Sequence, residues 1–90
     1  MNPQAQELLD LQRQYIQAMQ NLDAATEEHD RYVADCKRRD VPIVPGSIIP
    51  VNRRIRHLRE VSTTLFICIQ TFGRMIKNDG DKNGTTAGAQ

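Results

Sequence analysis

The sequence has no tryptophan and only four aromatic residues, two tyrosines and two phenylalanines, among its 90 residues. So few large rings leave little material for a big hydrophobic core or for a pocket that encloses an organic cofactor. A chain of this length forms one domain at most. Small domains bury little apolar surface, so they usually depend on a disulfide, a metal ion or a partner for stability.

Cysteine and long hydrophobic runs are also scarce. The two cysteines, Cys36 and Cys68, are too few for a disulfide framework and form no Cys-x-x-Cys pair, so we expect two free thiols. The longest apolar-leaning stretch, Val61 to Ile69, contains three hydroxyl residues and is far shorter than the about 20 residues of a membrane span. No signal-peptide pattern opens the chain. These features predict a cytoplasmic protein with no membrane partner.

Residues suited to metal binding or catalysis are present, but their spacing is unfavourable. His29 lies seven residues from Cys36, and His57 lies eleven from Cys68, whereas zinc ligands usually come as close pairs. The acidic run at 27–30 points around a helix instead of converging, and no glycine-rich phosphate loop is present. We therefore expect no catalytic residue, no metal and no cofactor. A metal or redox switch through Cys36 and Cys68 is the weakest of the functional hypotheses.

Glycine and proline are missing from residues 4–41, and apolar or small side chains recur there at alternating spacings of three and four. This pattern indicates one helix with a coiled-coil-like seam. The seam positions are Leu8, Leu11, Tyr15, Ala18, Leu22, Ala25, His29, Tyr32 and Cys36. Asn2 before Pro3 suits a helix start, and a cationic last turn (37–39) suits a helix end. The first helix is predicted over about residues 3–39.

Three prolines and a glycine then interrupt the helical pattern, which predicts a connection over residues 40–51. Its branched apolar residues predict a rigid cap packed over the helix ends. A second helix is predicted over about residues 52–78, with Ser47 or Asn52 as its N-cap and Gly80 as its left-handed terminator. Its seam consists of Ile55, Leu58, Ser62, Leu65, Ile69, Phe72 and Ile76. Residues 81–90 offer nothing to bury and are predicted to be a disordered tail after a hairpin domain at 1–80.

Two long amphipathic helices with a short connection predict an all-α, antiparallel two-helix hairpin. In the expected register Arg56 lies near Asp35 and Glu60 lies near Arg31. The second helix is apolar over a wider arc than one neighbour can cover, so two hairpins are expected to form a four-helix bundle, as a homodimer or a higher oligomer. The predicted interface residues are Leu58, Val61, Leu65, Phe66, Ile69, Phe72, Met75 and Ile76.

Charge is distributed unevenly along the chain. Residues 1–36 carry seven acidic and two basic side chains, a balance of −5, whereas residues 37–60 carry seven basic and two acidic ones, a balance of +5. The hairpin gathers the seven cations at its loop end, and they are Lys37, Arg38, Arg39, Arg53, Arg54, Arg56 and Arg59. If the second helix begins at Asn52, Arg53 and Arg54 lie in its first turn, where the helix dipole disfavours cations.

These cations support two hypotheses besides simple neutralisation by the acidic half of the first helix. The leading one is a non-enzymatic interaction, adaptor or regulatory protein that self-associates and binds an acidic protein surface. The alternative is a small nucleic-acid-binding regulator that uses the same cluster. No aromatic residue is interleaved with the cations for base stacking, and no helix-turn-helix spacing is present, so protein is the preferred partner.

Overall fold

The computed structural model describes the backbone of residues 2–84 and the side chains of residues 2–77. It contains two helices, α1 (Pro3–Arg39) and α2 (Pro45–Gly84), which pack against each other along one elongated body. The principal extents are 70 × 26 × 18 Å. The prediction of an all-α, antiparallel two-helix hairpin is confirmed. Its association into a four-helix bundle remains a prediction.

Both ends of α1 are stabilised by specific caps. The side-chain oxygen of Asn2 accepts a hydrogen bond from the Gln4 backbone N–H at 2.8 Å, and Pro3 occupies the first helical position. At the other end Asp40 has a left-handed backbone, with φ of 55° and ψ of 46°, and its N–H points to the carbonyls of Cys36 and Lys37. These caps satisfy backbone groups that a bare helix end leaves unpaired.

Helix α2 begins at Pro45, so the predicted start at residue 52 is wrong, and Ser47 and Asn52 lie inside the helix. Pro45 at the first position costs nothing because the first N–H groups of a helix have no intrahelical acceptor. Pro50, in the second turn, removes only the hydrogen bond to the Gly46 carbonyl. Gly46 and Pro50 are both exposed, so water can hydrate that carbonyl. The connection is therefore residues 40–44.

The far end of α2 also differs from the prediction. The helix continues to Gly84, past the expected terminator Gly80, and no glycine among the described residues has a positive φ. Of the predicted disordered tail at 81–90, residues 81–84 belong to α2, and residues 85–90 lie outside the described residues.

The earlier start of α2 changes the helix register. Glu28 faces Arg54 across the two helices, and the rings of Tyr15 and Phe66 are 5.9 Å apart between centroids. The expected pairs do not form among the described residues, because Asp35 binds cations of its own helix and Arg31 lies beside Glu27. The register was misplaced because it assumed a connection more than twice as long as the observed one.

The core of the single hairpin is small. Ala25, Val51 and Ile55 form its buried cluster, and Leu22 and Leu58 pack against them. The other buried residues are Ala18, Cys36 and Ser62. Among the described residues no large side chain is completely buried. The hairpin therefore leaves much of both apolar stripes in contact with solvent.

Candidate functional site at the loop end

The loop end is held by hydrogen bonds on both sides of the connection. The N–H of Val41 donates to the Cys36 carbonyl at 3.0 Å, and the N–H of Val44 donates to the Tyr32 hydroxyl at 2.9 Å. The Val44 carbonyl in turn accepts from the backbone N–H groups of Ser47 and Ile48, at 2.9 and 3.1 Å. The five-residue connection is thus tied to the last turn of α1 and the first turn of α2.

All seven predicted site cations are exposed, and three of them have carboxylate partners. Asp35, half-buried on α1, binds both Arg38 and Arg39, the latter at 3.3 Å between Nη1 and Oδ2. Arg54 reaches across to Glu28 of the other helix, with 2.9 Å between Nη1 and Oε2. The acidic half of α1 therefore neutralises part of the positive charge at the loop end. The neutralisation is incomplete because the single carboxylate of Asp35 pairs with two arginines.

The remaining four cations, Lys37, Arg53, Arg56 and Arg59, form no ion pair within residues 2–77. The expected dipole penalty on Arg53 and Arg54 is absent, because both lie in the third turn of α2 and the dipole effect fades after the first turn. The structure thus presents four unpaired cations on the loop half of the hairpin.

An exposed apolar tip lies at the closed end of the hairpin, and Lys37 and Arg53 are the unpaired cations nearest to it along the chain. Val41, Ile43, Val44 and Ile49 are 47%, 43%, 53% and 44% exposed, so the predicted packed cap over the helix ends is wrong. The connection is too short to fold back over the helices, and its polar groups are bound to helix ends instead. We name these four residues the apolar tip.

A shallow groove of about 680 Å³ runs beside the tip, between the two helices. Its charged lining combines two carboxylates with two guanidinium groups, those of Glu28, Asp35, Arg31 and Arg38. This mixture offers no strong preference for either sign of charge. The groups at the loop end that are available to bind a partner are therefore the unpaired cations and the apolar tip, and the groove is a weaker candidate.

The predicted oligomer-interface residues fall into three groups. Leu58 packs on the buried cluster of its own chain, so it belongs to the core of one hairpin. Phe66 and Met75 are 47% and 57% exposed. The other five, Val61, Leu65, Ile69, Phe72 and Ile76, are half-buried.

The candidate metal and redox residues are not brought together. Cys36 is buried in the helix seam, and Cys68 is an exposed free thiol farther along α2. Within the described residues no three histidine, cysteine or acidic side chains converge as a metal site would require. In the same part of the chain, neither helix combines the length and apolarity needed to cross a lipid bilayer.

Several residues that shape the loop end escaped the sequence-based prediction. Ile48 and Val51 continue the three-and-four spacing upstream of Ile55, and that periodicity could have located the start of α2. The left-handed Asp40 and the bond between Tyr32 and Val44 depend on the path of the connection, for which the sequence carries no local signal.

Comparison with known proteins adds no relationship. No protein-family model matches the chain, no curated protein matches it, and no solved structure matches it. The fold and the site alone define the class of protein. It is an all-α helical hairpin whose loop end carries exposed cations and an exposed apolar tip.

Proposed function

We propose that this chain is a non-enzymatic interaction protein of the cytoplasm that self-associates through its helix faces and binds an acidic partner protein through its loop end. The observation that supports the partner most directly is the apolar tip near the unpaired Lys37 and Arg53. A protein surface offers carboxylates and apolar side chains together. A nucleic-acid backbone offers charge but rewards no exposed valine or isoleucine.

The aromatic residue nearest the loop end also favours protein over single-stranded nucleic acid. Tyr32 is half-buried, and its hydroxyl is bonded to the Val44 N–H, so its ring is not presented for base stacking. A role as an adaptor or regulator fits this arrangement, because binding is carried by exposed side chains on a scaffold held by hydrogen bonds.

Self-association is supported by what the single hairpin leaves uncovered. Ile16, Phe66, Ile67 and Met75 are each about half exposed. Burial of such a side chain is worth about 1.5–3 kcal/mol relative to full exposure. A second copy that covers part of this surface would stabilise a chain whose own core is small.

A capture experiment with paired variants tests the partner proposal. Lys37→Gln with Arg53→Gln removes two unpaired cations, and Ile43→Ser with Val44→Ser removes the apolar character of the tip. We expect both variants to retain helicity but to lose the same captured protein. With that protein purified, the variant that lacks the two unpaired cations should associate several-fold more slowly at low salt, and the difference should shrink at high salt.

The matched control is Arg38→Gln with Arg39→Gln, which changes net charge by the same amount but at cations that Asp35 already partly neutralises. We expect a smaller effect from this control. Capture of a species destroyed by nuclease, with log affinity falling linearly with log salt, would establish the nucleic-acid alternative. Unchanged capture by all variants would disprove a role for the loop end.

A further inference from the structure

The two sides of the hairpin differ in what they expose. One interhelical groove, of about 360 Å³, has Tyr15, Met19, Thr63, Phe66 and Arg59 in its lining, and we call this side the Tyr15 face. The opposite groove is lined by Gln14, His57, Glu60, Val61, Thr64 and Leu65, and we call that side the His57 face. On the Tyr15 face, the rings of Tyr15 and Phe66 and the thioether of Met19 thus line one groove between the helices.

Charged rows continue the Tyr15 face toward the loop end. On α1, Asp23 and Asp30 follow Met19 at spacings of four and then seven, which keeps them on one side of the helix. On α2, Arg56 and Arg59 precede Phe66 by ten and seven residues, on the corresponding side. The α1 row is acidic, and the α2 row is basic.

These two rows lie at the same level of the rod, as the cross-helix pair of Glu28 and Arg54 shows. All four row residues are exposed. Asp23, Arg56 and Arg59 form no ion pair within residues 2–77, and Asp30 contacts only the neighbouring His29, at 3.0 Å. The two rows are therefore opposite in charge, but within residues 2–77 of one chain they form no ion pairs with each other.

We propose that a second copy of this chain covers the Tyr15 face about a two-fold axis parallel to the rod. This proposal deepens, and depends on, the self-association proposed above. Such an axis places α1 of one copy over α2 of the other at the same level, so each acidic row meets a basic row. A two-fold axis perpendicular to the rod and near its middle would instead place α1 over α1 and α2 over α2 in opposite directions. Each charged row would then face the open half of the partner, and the complementary rows would not meet.

The available surface is large enough for this contact. The chain exposes 6912 Å², whereas a compact monomer of this mass exposes about 5,400 Å². A stable interface of standard size removes about 800 Å² from each partner. The exposed surface is therefore several times larger than the area that one such interface removes.

The arrangement has a consequence for the loop end. Both apolar tips, together with the unpaired Lys37 and Arg53 of each copy, would lie at the same end of the bundle, whereas Arg56 and Arg59 would face the acidic row of the other copy. Two linked sites bind a bivalent acidic partner much more tightly than one does, because the second contact is intramolecular. Repulsion between the two loop ends is limited, since exposed charges more than about 10 Å apart are largely screened at physiological salt.

A distance measurement distinguishes the two axes. A nitroxide label is attached at Ile43→Cys in the full chain, with Cys36→Ala and Cys68→Ser to leave one reactive thiol and circular dichroism to check the fold. We expect dipolar spectroscopy to give a separation between tips below about 30 Å, the width of a four-helix bundle. A separation approaching the 70 Å length of the rod would overturn the parallel arrangement.

A mixing experiment gives an independent test that needs no label. Asp23→Lys and Arg59→Glu should each weaken dimerisation by about tenfold, because each creates two like-charge contacts per dimer. When the two variants are mixed, the lysine introduced at position 23 of one copy meets the glutamate introduced at position 59 of the other, so we expect a heterodimer of near wild-type affinity. Glu60→Lys is the matched control on the His57 face, and it should leave dimerisation nearly unchanged.

The results of these experiments distinguish the Tyr15-face contact from self-association in general. Dimers that ignore both charge reversals, or that gain nothing on mixing, would disprove the Tyr15-face contact while leaving self-association intact. A wild-type chain that stays monomeric at micromolar concentration by analytical ultracentrifugation would disprove self-association itself.

Discussion

The two halves of the hairpin are packed differently. Every buried residue among those described belongs to the loop half, residues 18–62, where small side chains such as Ala18 and Ala25 let the helices approach closely. The open half, residues 3–17 with 63–77, carries larger apolar side chains, yet none of them is buried. The loop half thus forms its core within one chain, whereas the open half leaves its larger apolar side chains partly in contact with solvent.

Large-to-small substitutions should reveal the largest difference in stability between the two halves. Ile55→Ala removes a buried side chain of the loop half, and we expect it to lower the free energy of unfolding by about 2–4 kcal/mol at every protein concentration. Ile69→Ala changes a half-buried residue of the open half, so its cost within one chain should be smaller and should grow as the chain associates. Denaturant unfolding followed by circular dichroism, at a low and a high protein concentration, measures both. Equal costs at the low concentration would mean that the halves do not differ.

The two tyrosines give a matched test of the same comparison. In the loop half the Tyr32 hydroxyl accepts the Val44 N–H, so Tyr32→Phe should cost about 1 kcal/mol of stability and speed amide exchange at Val44. In the open half Tyr15 makes a ring contact with Phe66 but forms no side-chain hydrogen bond within residues 2–77. Tyr15→Phe should therefore be nearly neutral in thermal unfolding. A larger cost for Tyr15→Phe would contradict this assignment.

The smallest expected effect concerns the ion pair of Glu28 and Arg54, which is the one pair joining the helices within residues 2–77. Both side chains are about half exposed, so a double-mutant cycle with Glu28→Gln and Arg54→Gln should give a coupling of about 0.5 kcal/mol that high salt removes. The corresponding cycle on Glu27 and Arg31, which share one helix, is the control for local helix effects. A coupling that persists at high salt would indicate a pair that water does not screen.

Helix α1 was predictable because its signals are local. Asn2, Pro3 and the cationic last turn mark its ends, and no proline or glycine interrupts the periodicity between them. The hairpin follows from two helices that each carry a long apolar stripe and from the short proline-containing segment between them. For these features sequence spacing and tertiary packing point to the same structure.

The start of α2 differs from the prediction because Pro45 and Gly46, which interrupt the helical pattern in the sequence, are compatible with the first turn of a helix. Pro45 lies at the first position of α2, where a missing N–H costs nothing, and Pro50 in the second turn removes one hydrogen bond to an exposed carbonyl. The periodic Ile48 and Val51 lie in the same two turns. The register error followed directly, and with it the wrong partners for Arg56 and Glu60. A hairpin closed between residues 39 and 53 still keeps the cations of residues 37–39 and 53–54 near its loop, whereas Arg59 lies farther along α2, in the groove lined by Tyr15 and Phe66.

The division of those cations into paired and unpaired ones could not have been predicted. Which carboxylate an arginine can reach depends on how the two helices are aligned. A shift of a few residues in that alignment changes every pair between the helices. Asp35, for example, was expected to face Arg56 but instead holds two arginines of its own last turn. Exposure of the apolar tip likewise depends on the length of the connection, which was overestimated.

The left-handed backbone of Asp40 carries a topological consequence. The reversal of the chain begins at this residue, since φ of 55° ends α1 and turns the connection back toward α2. If Asp40 relaxed to a right-handed conformation, the two helices would separate and each seam would be open to the helix of another copy, the usual route to a domain-swapped dimer. Pro42 and Pro45 oppose this exchange, because a residue that precedes proline disfavours the helical backbone needed to run α1 straight into α2. The prolines near the turn thus help select a closed chain over an exchanged one.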